Sequence, residues 1–157
     1  MSDAADGVPA HVTLLYPFVR RDELDPAVVR KIASVAAGHA AFDYTMTGPG
    51  RWPDTVYVAV QPMDPFVGLQ ADLAATFPEH PLYCEGNDFE FTPHITVAEG
   101  PAVDDAETMS DPAWAALPLP ARAAWLDVIA TEGGRWDLVW RIPLGGSDWT
   151  AIGTIRP

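Results

Sequence analysis

The sequence predicts an α+β protein of two lobes that are related by an approximate two-fold axis. One short signature occurs twice, as His11-Val12-Thr13-Leu14 and as His94-Ile95-Thr96-Val97. A Gly-Arg-Trp triplet also occurs twice, at residues 50–52 and 134–136, at nearly the same distance after each histidine. Each half has the pattern of a strand, a helix and two further strands, which indicates a duplicated β-α-β-β unit. Two antiparallel sheets would then line a central cleft, with the helices outside.

The first half opens with a predicted strand over residues 11–16. In the helix that follows, Asp25 is the N-cap, Pro26 is the first residue and Gly38 lies near the end, a pattern typical of helix termini. The apolar residues of this helix recur at helical spacing on one face. They are Val28, Val29, Ile32, Val35 and Ala36.

A hairpin and a second helix complete the first half. Strands are predicted over residues 42–47 and 55–60, and the glycines and prolines of residues 48–53 predict a loop between them. The second helix is expected to begin at Asp64 and to stop before Pro78, because proline disfavours a helical residue in front of it. Its predicted buried residues are Phe66, Leu69, Leu73 and Phe77.

The second half starts with the strand that contains His94. A short or broken helix is predicted between residues 104 and 117, interrupted at Pro112. The strands 121–130 and 136–144 then form a second hairpin. The repeats are thus predicted to span about residues 11–62 and 94–144 of a single domain, residues 1–157.

Composition limits the classes of protein that this chain can be. The first ten residues are neither basic nor apolar, and no run of about eighteen apolar residues exists, so the sequence predicts neither a secretion signal nor a membrane span. We therefore expect a cytoplasmic protein. Cys84 is the only cysteine, which excludes an intrachain disulfide and a metal cage of several cysteines.

The charge of the chain argues against an extended nucleic-acid footprint. The formal net charge is -13, and the 9 basic side chains include one lysine, Lys31. Binding of a long phosphate backbone depends on neutralisation by many lysines and arginines. A small anion, or one nucleotide end, remains feasible as a partner. We expect the protein to act as a monomer.

The doubled motif places an imidazole beside a hydroxyl. On a strand, residues two apart point to the same side, so His11 accompanies Thr13 and His94 accompanies Thr96. Near neutral pH one imidazole can accept a proton while another donates one. In an in-line displacement at phosphorus, the base and the acid act on opposite sides of the centre, and hydroxyls can hydrogen-bond the phosphoryl oxygens between them. This chemistry requires no metal or cofactor.

The two motifs resemble those of the two-histidine phosphoesterase superfamily, the 2′-5′ RNA ligase-like proteins. The resemblance extends over nearly the whole chain and rests on His11-Val12-Thr13-Leu14-Leu15-Tyr16-Pro17-Phe18 and Phe91-Thr92-Pro93-His94-Ile95-Thr96-Val97. It implies a bilobal α+β fold with a central cleft and metal-independent action on cyclic phosphates or 2′-5′ phosphodiesters. It also implies that His11 and His94 are the acid and the base, and that Thr13 and Thr96 hold the phosphate.

Four further residues are candidates for substrate binding. Tyr16 and Phe91 flank the motifs and could stack on a base, although core packing also explains aromatic residues there. Arg51 and Arg135, in the repeated triplets, could steer a phosphate, although arginines at hairpin tips are commonly solvated. The remaining histidines, His39 and His80, are expected to be structural.

The leading hypothesis is a hydrolase that opens a 2′,3′-cyclic phosphate or a related small cyclic phosphate. One alternative is a nucleotide-binding module on the same fold that has no catalytic activity. A second is RNA 2′-5′ ligation, which the acidic chain disfavours because two RNA ends must be held together. A third is a metal site made by His11, His94 and an acidic neighbour, which lacks a clear third ligand.

Overall fold

Both helices predicted in the first half form, with the expected ends. The computed structural model describes residues 8–81, 90–104, 112–132, 135–146 and 150–151. Helix α1 spans Pro26–Ala37, and the Asp25 carboxylate accepts hydrogen bonds from the backbone N–H groups of Ala27 and Val28 at 2.7 and 2.9 Å. Helix α2 spans Asp64–Thr76 and ends before Pro78. All four residues predicted to be buried on it or at its end are buried: Phe66, Leu69, Leu73 and Phe77.

The strands form two antiparallel sheets, which confirms the predicted α+β class. The strands are β1 (Phe42–Trp52), β2 (Thr55–Gln61), β3 (His94–Glu99), β4 (Leu119–Ala123), β5 (Trp125–Glu132), β6 (Arg135–Pro143) and β7 (Thr150–Ala151). The first sheet has the order β3-β2-β1-β4, and the second has the order β5-β6-β7. Because β3 and β4 join the hairpin of the first half, the sheets do not coincide with the two predicted repeats.

The first hairpin is longer than predicted. Residues 48–52 continue β1 instead of forming a loop, and the turn lies at Pro53 and Asp54. Gly50 is directly opposite Tyr57, and a Cβ atom at Gly50 would overlap the Tyr57 ring. The glycine therefore serves a cross-strand contact with an aromatic ring, and the prediction of a turn there was wrong.

The predicted strand over residues 121–130 is two strands. Its first part belongs to β4 in the first sheet, and its second part begins β5 in the second sheet. Ala124 separates the two, and its carbonyl accepts a hydrogen bond from the Leu144 N–H at 3.0 Å. The hairpin of β5 and β6 itself forms as predicted.

The predicted strand over residues 11–16 is absent, and residues 14–17 form a bend. Leu14 and Leu15 are consecutive, yet both pack against the core formed by the helices and the second sheet. A strand would send them to opposite faces. Val12 packs against the other core, beneath the first sheet. The first motif therefore lies between the two cores.

The predicted helix between residues 104 and 117 is observed as 3₁₀ turns in its described parts. One, Gly100–Asp104, ends where the predicted helix begins, and the other, Pro112–Ala116, lies within the predicted range. Residues 105–111 lie outside the described residues.

No helix among the described residues is both long enough and apolar enough to cross a membrane.

Candidate functional site

The second motif presents His94 and Thr96 on one face of β3. In the register with β2, His94 is opposite Ala59 and Thr96 is opposite Tyr57. Ile95, between them, is 5% exposed and belongs to the core cluster beneath the first sheet. The imidazole and the hydroxyl therefore lie on the face of β3 opposite to that of Ile95, as period-two alternation requires.

A β-bulge follows this pair. Thr96 is opposite Tyr57 and Ala98 is opposite Val56, so Val97 is an extra residue on β3. The bulge returns Ala98, which is 6% exposed, to the buried face. Bulges next to functional residues re-aim side chains, and this one ends the alternation immediately after Thr96.

Both motif histidines make the same hydrogen bond. His11 Nδ1 lies 2.9 Å from the Pro9 carbonyl oxygen, and His94 Nδ1 lies 2.8 Å from the Thr92 carbonyl oxygen. A carbonyl can only accept, so Nδ1 donates in each case. In the neutral imidazole this leaves the Nε2 lone pair of both rings available for a proton.

His94 also contacts two aromatic rings of the first hairpin. Its ring centroid lies 4.7 Å from that of Trp52 and 5.4 Å from that of Tyr57, with interplanar angles of 84° and 66°. The Trp52 and Tyr57 rings are 4.2 Å apart and tilted by 32°. Trp52 belongs to the repeated Gly-Arg-Trp triplet, but neither Trp52 nor Tyr57 was predicted as a site residue. The available signal was alternation, which puts Tyr57 on the face of β2 opposite Val56 and Val58.

The first motif approaches the same core cluster as the second. His11 and Thr13 are half-buried, and Val12 between them packs against the cluster that contains Ile95. Within the described part of the chain, neither the Thr13 hydroxyl nor the Thr96 hydroxyl makes a hydrogen bond.

The aromatic candidates have different surroundings. Tyr16 is 50% exposed and contacts Trp136 edge to face, with centroids 6.3 Å apart. Phe91 packs against the core cluster beneath the first sheet, which favours a structural role. Phe18 packs edge to face on Phe77 and His80.

The register is against the predicted role of Arg51 in phosphate binding. Arg51 is opposite Val56, one residue out of phase with the Gly50–Tyr57 pair, so it lies on the sheet face away from His94 and Thr96. Its guanidinium donates to the Val103 carbonyl at 2.7 Å and to the Asp104 carboxylate at 3.1 Å. Similar spacing in the two repeats could not reveal which face the residue would take.

The other basic candidate, Arg135, cannot be placed relative to this face, and His39 has a partner elsewhere. Arg135 begins β6, and its side chain lies outside the described part of the structure. His39 Nε2 is 2.8 Å from the Asp72 carboxylate, which joins the end of α1 to α2. Within the described ranges, no three His, Cys, Asp or Glu side chains come together as metal ligands.

The fold and the doubled motif together are characteristic of the two-histidine phosphoesterases. A protein-family model described as "2'-5' RNA ligase superfamily" matches residues 2–141, and the chain belongs to that superfamily. Among solved structures, the chain is similar to the crystal structure of TT0787 of Thermus thermophilus, with a TM-score of 0.61 and 22% identity. The match covers 90% of this chain and 82% of the other. A comparison with curated protein sequences finds no match.

Proposed function

We propose that this protein is a metal-independent phosphodiesterase that hydrolyses a 2′,3′-cyclic phosphate, or a related small cyclic phosphate or 2′-5′ phosphodiester. His11 and His94 supply general acid–base catalysis, and Thr13 and Thr96 hold the phosphate. The substrate is a small nucleotide or the cyclic phosphate at an RNA end. Membership of the superfamily supports the class of reaction.

The observation that carries the proposal is the matched pair of Nδ1 contacts. Each imidazole donates from Nδ1 to the carbonyl two residues before it, at 2.9 Å for His11 and 2.8 Å for His94. The same carbonyl accepts from the neutral ring and from the protonated ring. Each histidine can therefore change protonation at Nε2 while its Nδ1 contact is kept, as a reversible acid–base group requires.

Hydrolysis needs one histidine in each protonation state. The neutral imidazole takes a proton from water at Nε2 as the water oxygen attacks phosphorus. The bond from phosphorus to one ribose oxygen breaks on the opposite side, and the protonated imidazole donates its Nε2 proton to that oxygen. The product is a phosphomonoester beside a free hydroxyl, and the two histidines have exchanged protonation states.

The two threonines act on the oxygens that stay on phosphorus. Negative charge builds up on the non-bridging oxygens in the transition state, and hydroxyl donors stabilise it there. The Thr13 and Thr96 hydroxyls are not engaged by the described residues. Each therefore has a donor to offer to a phosphoryl oxygen.

The test is incubation of the protein with the four 2′,3′-cyclic mononucleotides in the presence of a chelator, with the products identified by phosphorus NMR. We expect a 2′- or 3′-monophosphate to form, with a bell-shaped pH profile. His11→Ala and His94→Ala should each lower the rate by about 10²- to 10⁴-fold. His39→Ala, outside the motifs, is the matched control and should retain the rate.

Three results would contradict this proposal. Undiminished turnover in both motif variants would remove the two-histidine mechanism. Binding of a mononucleotide without turnover of any cyclic phosphate would indicate a nucleotide-binding module. Joining of two RNA ends without hydrolysis would indicate a ligase, which the net charge of -13 disfavours because a second RNA end adds further phosphates.

A further inference from the structure

We propose that Trp52 and Tyr57 are positioning residues that fix the orientation of the His94 imidazole, and that Gly50 makes this possible. The inference rests on the proposed function, in which His94 exchanges a proton at Nε2. It assigns a role to the two aromatic rings of the first hairpin, which contact each other and the His94 ring.

One hydrogen bond does not orient an imidazole. The contact from His94 Nδ1 to the Thr92 carbonyl fixes the position of one ring atom. The torsion that turns a histidine ring about its Cβ–Cγ bond has broad minima, so the direction of Nε2 needs a second restraint. Proton transfer depends on that direction, because the acid or base must be aligned with the reacting oxygen.

Trp52 and Tyr57 provide the second restraint. Both rings contact the His94 ring at steep angles, 84° and 66°, with centroids 4.7 and 5.4 Å away. The two rings also contact each other, at 4.2 Å, so neither can shift without disturbing the other. Trp52 ends β1 and Tyr57 lies on β2, directly beside β3, so the hairpin turn holds both rings next to the histidine.

Gly50 is the reason that Tyr57 can occupy this position. Gly50 and Tyr57 are cross-strand partners, and the ring lies where a Cβ atom of residue 50 would be. Any other side chain at residue 50 would push the ring away. Gly48 is a contrasting position on the same strand, because a Cβ atom there would meet nothing within 4 Å.

The two motif histidines differ in this respect. Among the residues that the structure describes, His11 contacts no aromatic ring, whereas His94 contacts two. The aromatic pair should therefore affect His94 alone. This difference allows a positioning role to be separated from a general loss of structure.

The kinetic test compares variants that lose an aromatic ring with variants that keep one. Trp52→Leu and Tyr57→Leu should lower kcat by about 10- to 100-fold while KM changes little, because the ring that transfers the proton is misaligned. Trp52→Phe and Tyr57→Phe retain a ring and should recover most of the rate. A rise in KM at unchanged kcat would overturn the proposal, because it would make the pair a binding surface for the substrate.

The second readout does not require activity. Nitrogen-15 NMR of the histidine rings above about pH 8, where histidine is neutral, should show Nδ1-protonated tautomers at His11 and His94 in the parent protein. Trp52→Leu and Tyr57→Leu should produce mixed tautomers at His94 only, and the His39 resonances should report an intact fold. Gly50→Ala should act in the same direction, and Gly48→Ala should not.

This measurement separates the two proposals. An unchanged His94 tautomer in both leucine variants overturns the positioning role, whether or not the protein hydrolyses a cyclic phosphate. A shifted His94 tautomer supports the positioning role even where every cyclic phosphate is left intact, a result that would count against the proposed function alone.

Discussion

Thr96 is the residue for which the geometry of the site gives the most direct prediction. It lies on the His94 face of β3, opposite Tyr57, and its hydroxyl makes no hydrogen bond within the described residues. Thr96→Val keeps the shape and removes the donor, so kcat should fall by about 10²- to 10³-fold, the usual cost of losing one transition-state donor. Steady-state kinetics on a cyclic mononucleotide would measure it.

Two controls make that result specific. Thr96→Ser restores the hydroxyl and should recover most of the rate. Thr76→Val makes the same chemical change on α2, where the hydroxyl donates to the Asp72 carbonyl at 2.7 Å, and should leave kcat unchanged. An unaltered kcat in Thr96→Val would show that this hydroxyl does not stabilise the transition state.

The two glycines of β1 give a second prediction at this scale, on stability. Gly50→Ala forces a methyl group into the Tyr57 ring and should cost about 1–3 kcal/mol of unfolding free energy, as overpacking does. Gly48→Ala places its methyl group in open space and should change stability much less. Urea denaturation of both variants is the measurement, and equal effects would contradict the close packing at Gly50.

The sequence indicated some features of the candidate site and not others, for physical reasons. The doubled motif singled out two His-x-Thr pairs, whose catalytic roles stay predictions. Tyr57 was missed because its importance comes from its cross-strand neighbours, Gly50 and Thr96, which only the register reveals. The face that Arg51 takes was equally hidden, because the repeat fixes its distance from His11 along the chain and nothing more.

At the scale of elements, Arg51 connects β1 to the 3₁₀ turn at Gly100–Asp104 through hydrogen bonds. Its guanidinium donates to the carbonyl of Val103, a residue that is only 1% exposed. Arg51→Met leaves that carbonyl without its partner and should cost about 1–2 kcal/mol of unfolding free energy. KM for a cyclic nucleotide should not change. Denaturation and kinetics on the same variant would measure both.

Arg122 provides the matched control. Its guanidinium is 2.7 Å from the Asp43 carboxylate, but both side chains are largely exposed. Exposed pairs contribute a few tenths of a kcal/mol, so Arg122→Met should be much milder than Arg51→Met. A large rise in KM for Arg51→Met at unchanged stability would instead support the predicted phosphate-binding role.

The N-terminus of α1 gives a prediction on pH. Hydrogen bonds from the Val28 and Ala27 N–H groups lower the pKa of Asp25 below its ordinary value of about 4. The charged carboxylate therefore stabilises the folded state above about pH 4, and this contribution is lost as the pH falls through the lowered folded-state pKa. Asp25→Ala should lower Tm at about pH 7, and the difference from the parent protein should shrink as the pH falls through the lowered pKa of Asp25.

Asp25→Asn separates the hydrogen bonds from the charge. Asparagine also caps helices, so this variant should retain most of the Tm at about pH 7 and should lose the pH dependence of the difference. A Tm difference between Asp25→Ala and the parent that is constant from about pH 7 to about pH 2 would contradict the assignment. Thermal unfolding followed by circular dichroism is sufficient for all three proteins.

Helices were more predictable than strands in this chain. The ends of α1 and α2 follow from local signals, the Asp25 cap and the proline that stops the second helix. Strand boundaries depend on partners that are distant in sequence. Residues 121–130 read as one strand in the sequence, yet the chain passes from one sheet to the other at Ala124.

At the scale of the whole molecule, the repeats and the sheets are different units. β3 comes from the second predicted repeat but pairs with β2 of the first. Val12, from the first motif, packs on the same cluster as Ile95, while Leu14 and Leu15 reach the other core. A local sequence pattern cannot show this mixing of the two repeats, because it indicates which face of a segment is apolar and not which sheet that face packs against. The mixing brings Val12 and Ile95, the middle residues of the two motifs, to one core.

The net charge of -13 gives the last prediction, on substrate length. Each additional phosphate of an RNA substrate adds repulsion from an acidic protein. It also finds few basic side chains to pair with, since the chain has one lysine and eight arginines. Several of the arginines are already engaged with carboxylates, as Arg51, Arg122 and Arg141 are. KM for an oligonucleotide with a 2′,3′-cyclic phosphate end should therefore be no lower than for the dinucleotide, and should depend weakly on salt. The measurement is KM for chains of two to about twelve nucleotides at several salt concentrations. A KM that falls steadily with length, and rises steeply with salt, would show a continuous basic path that the composition does not provide.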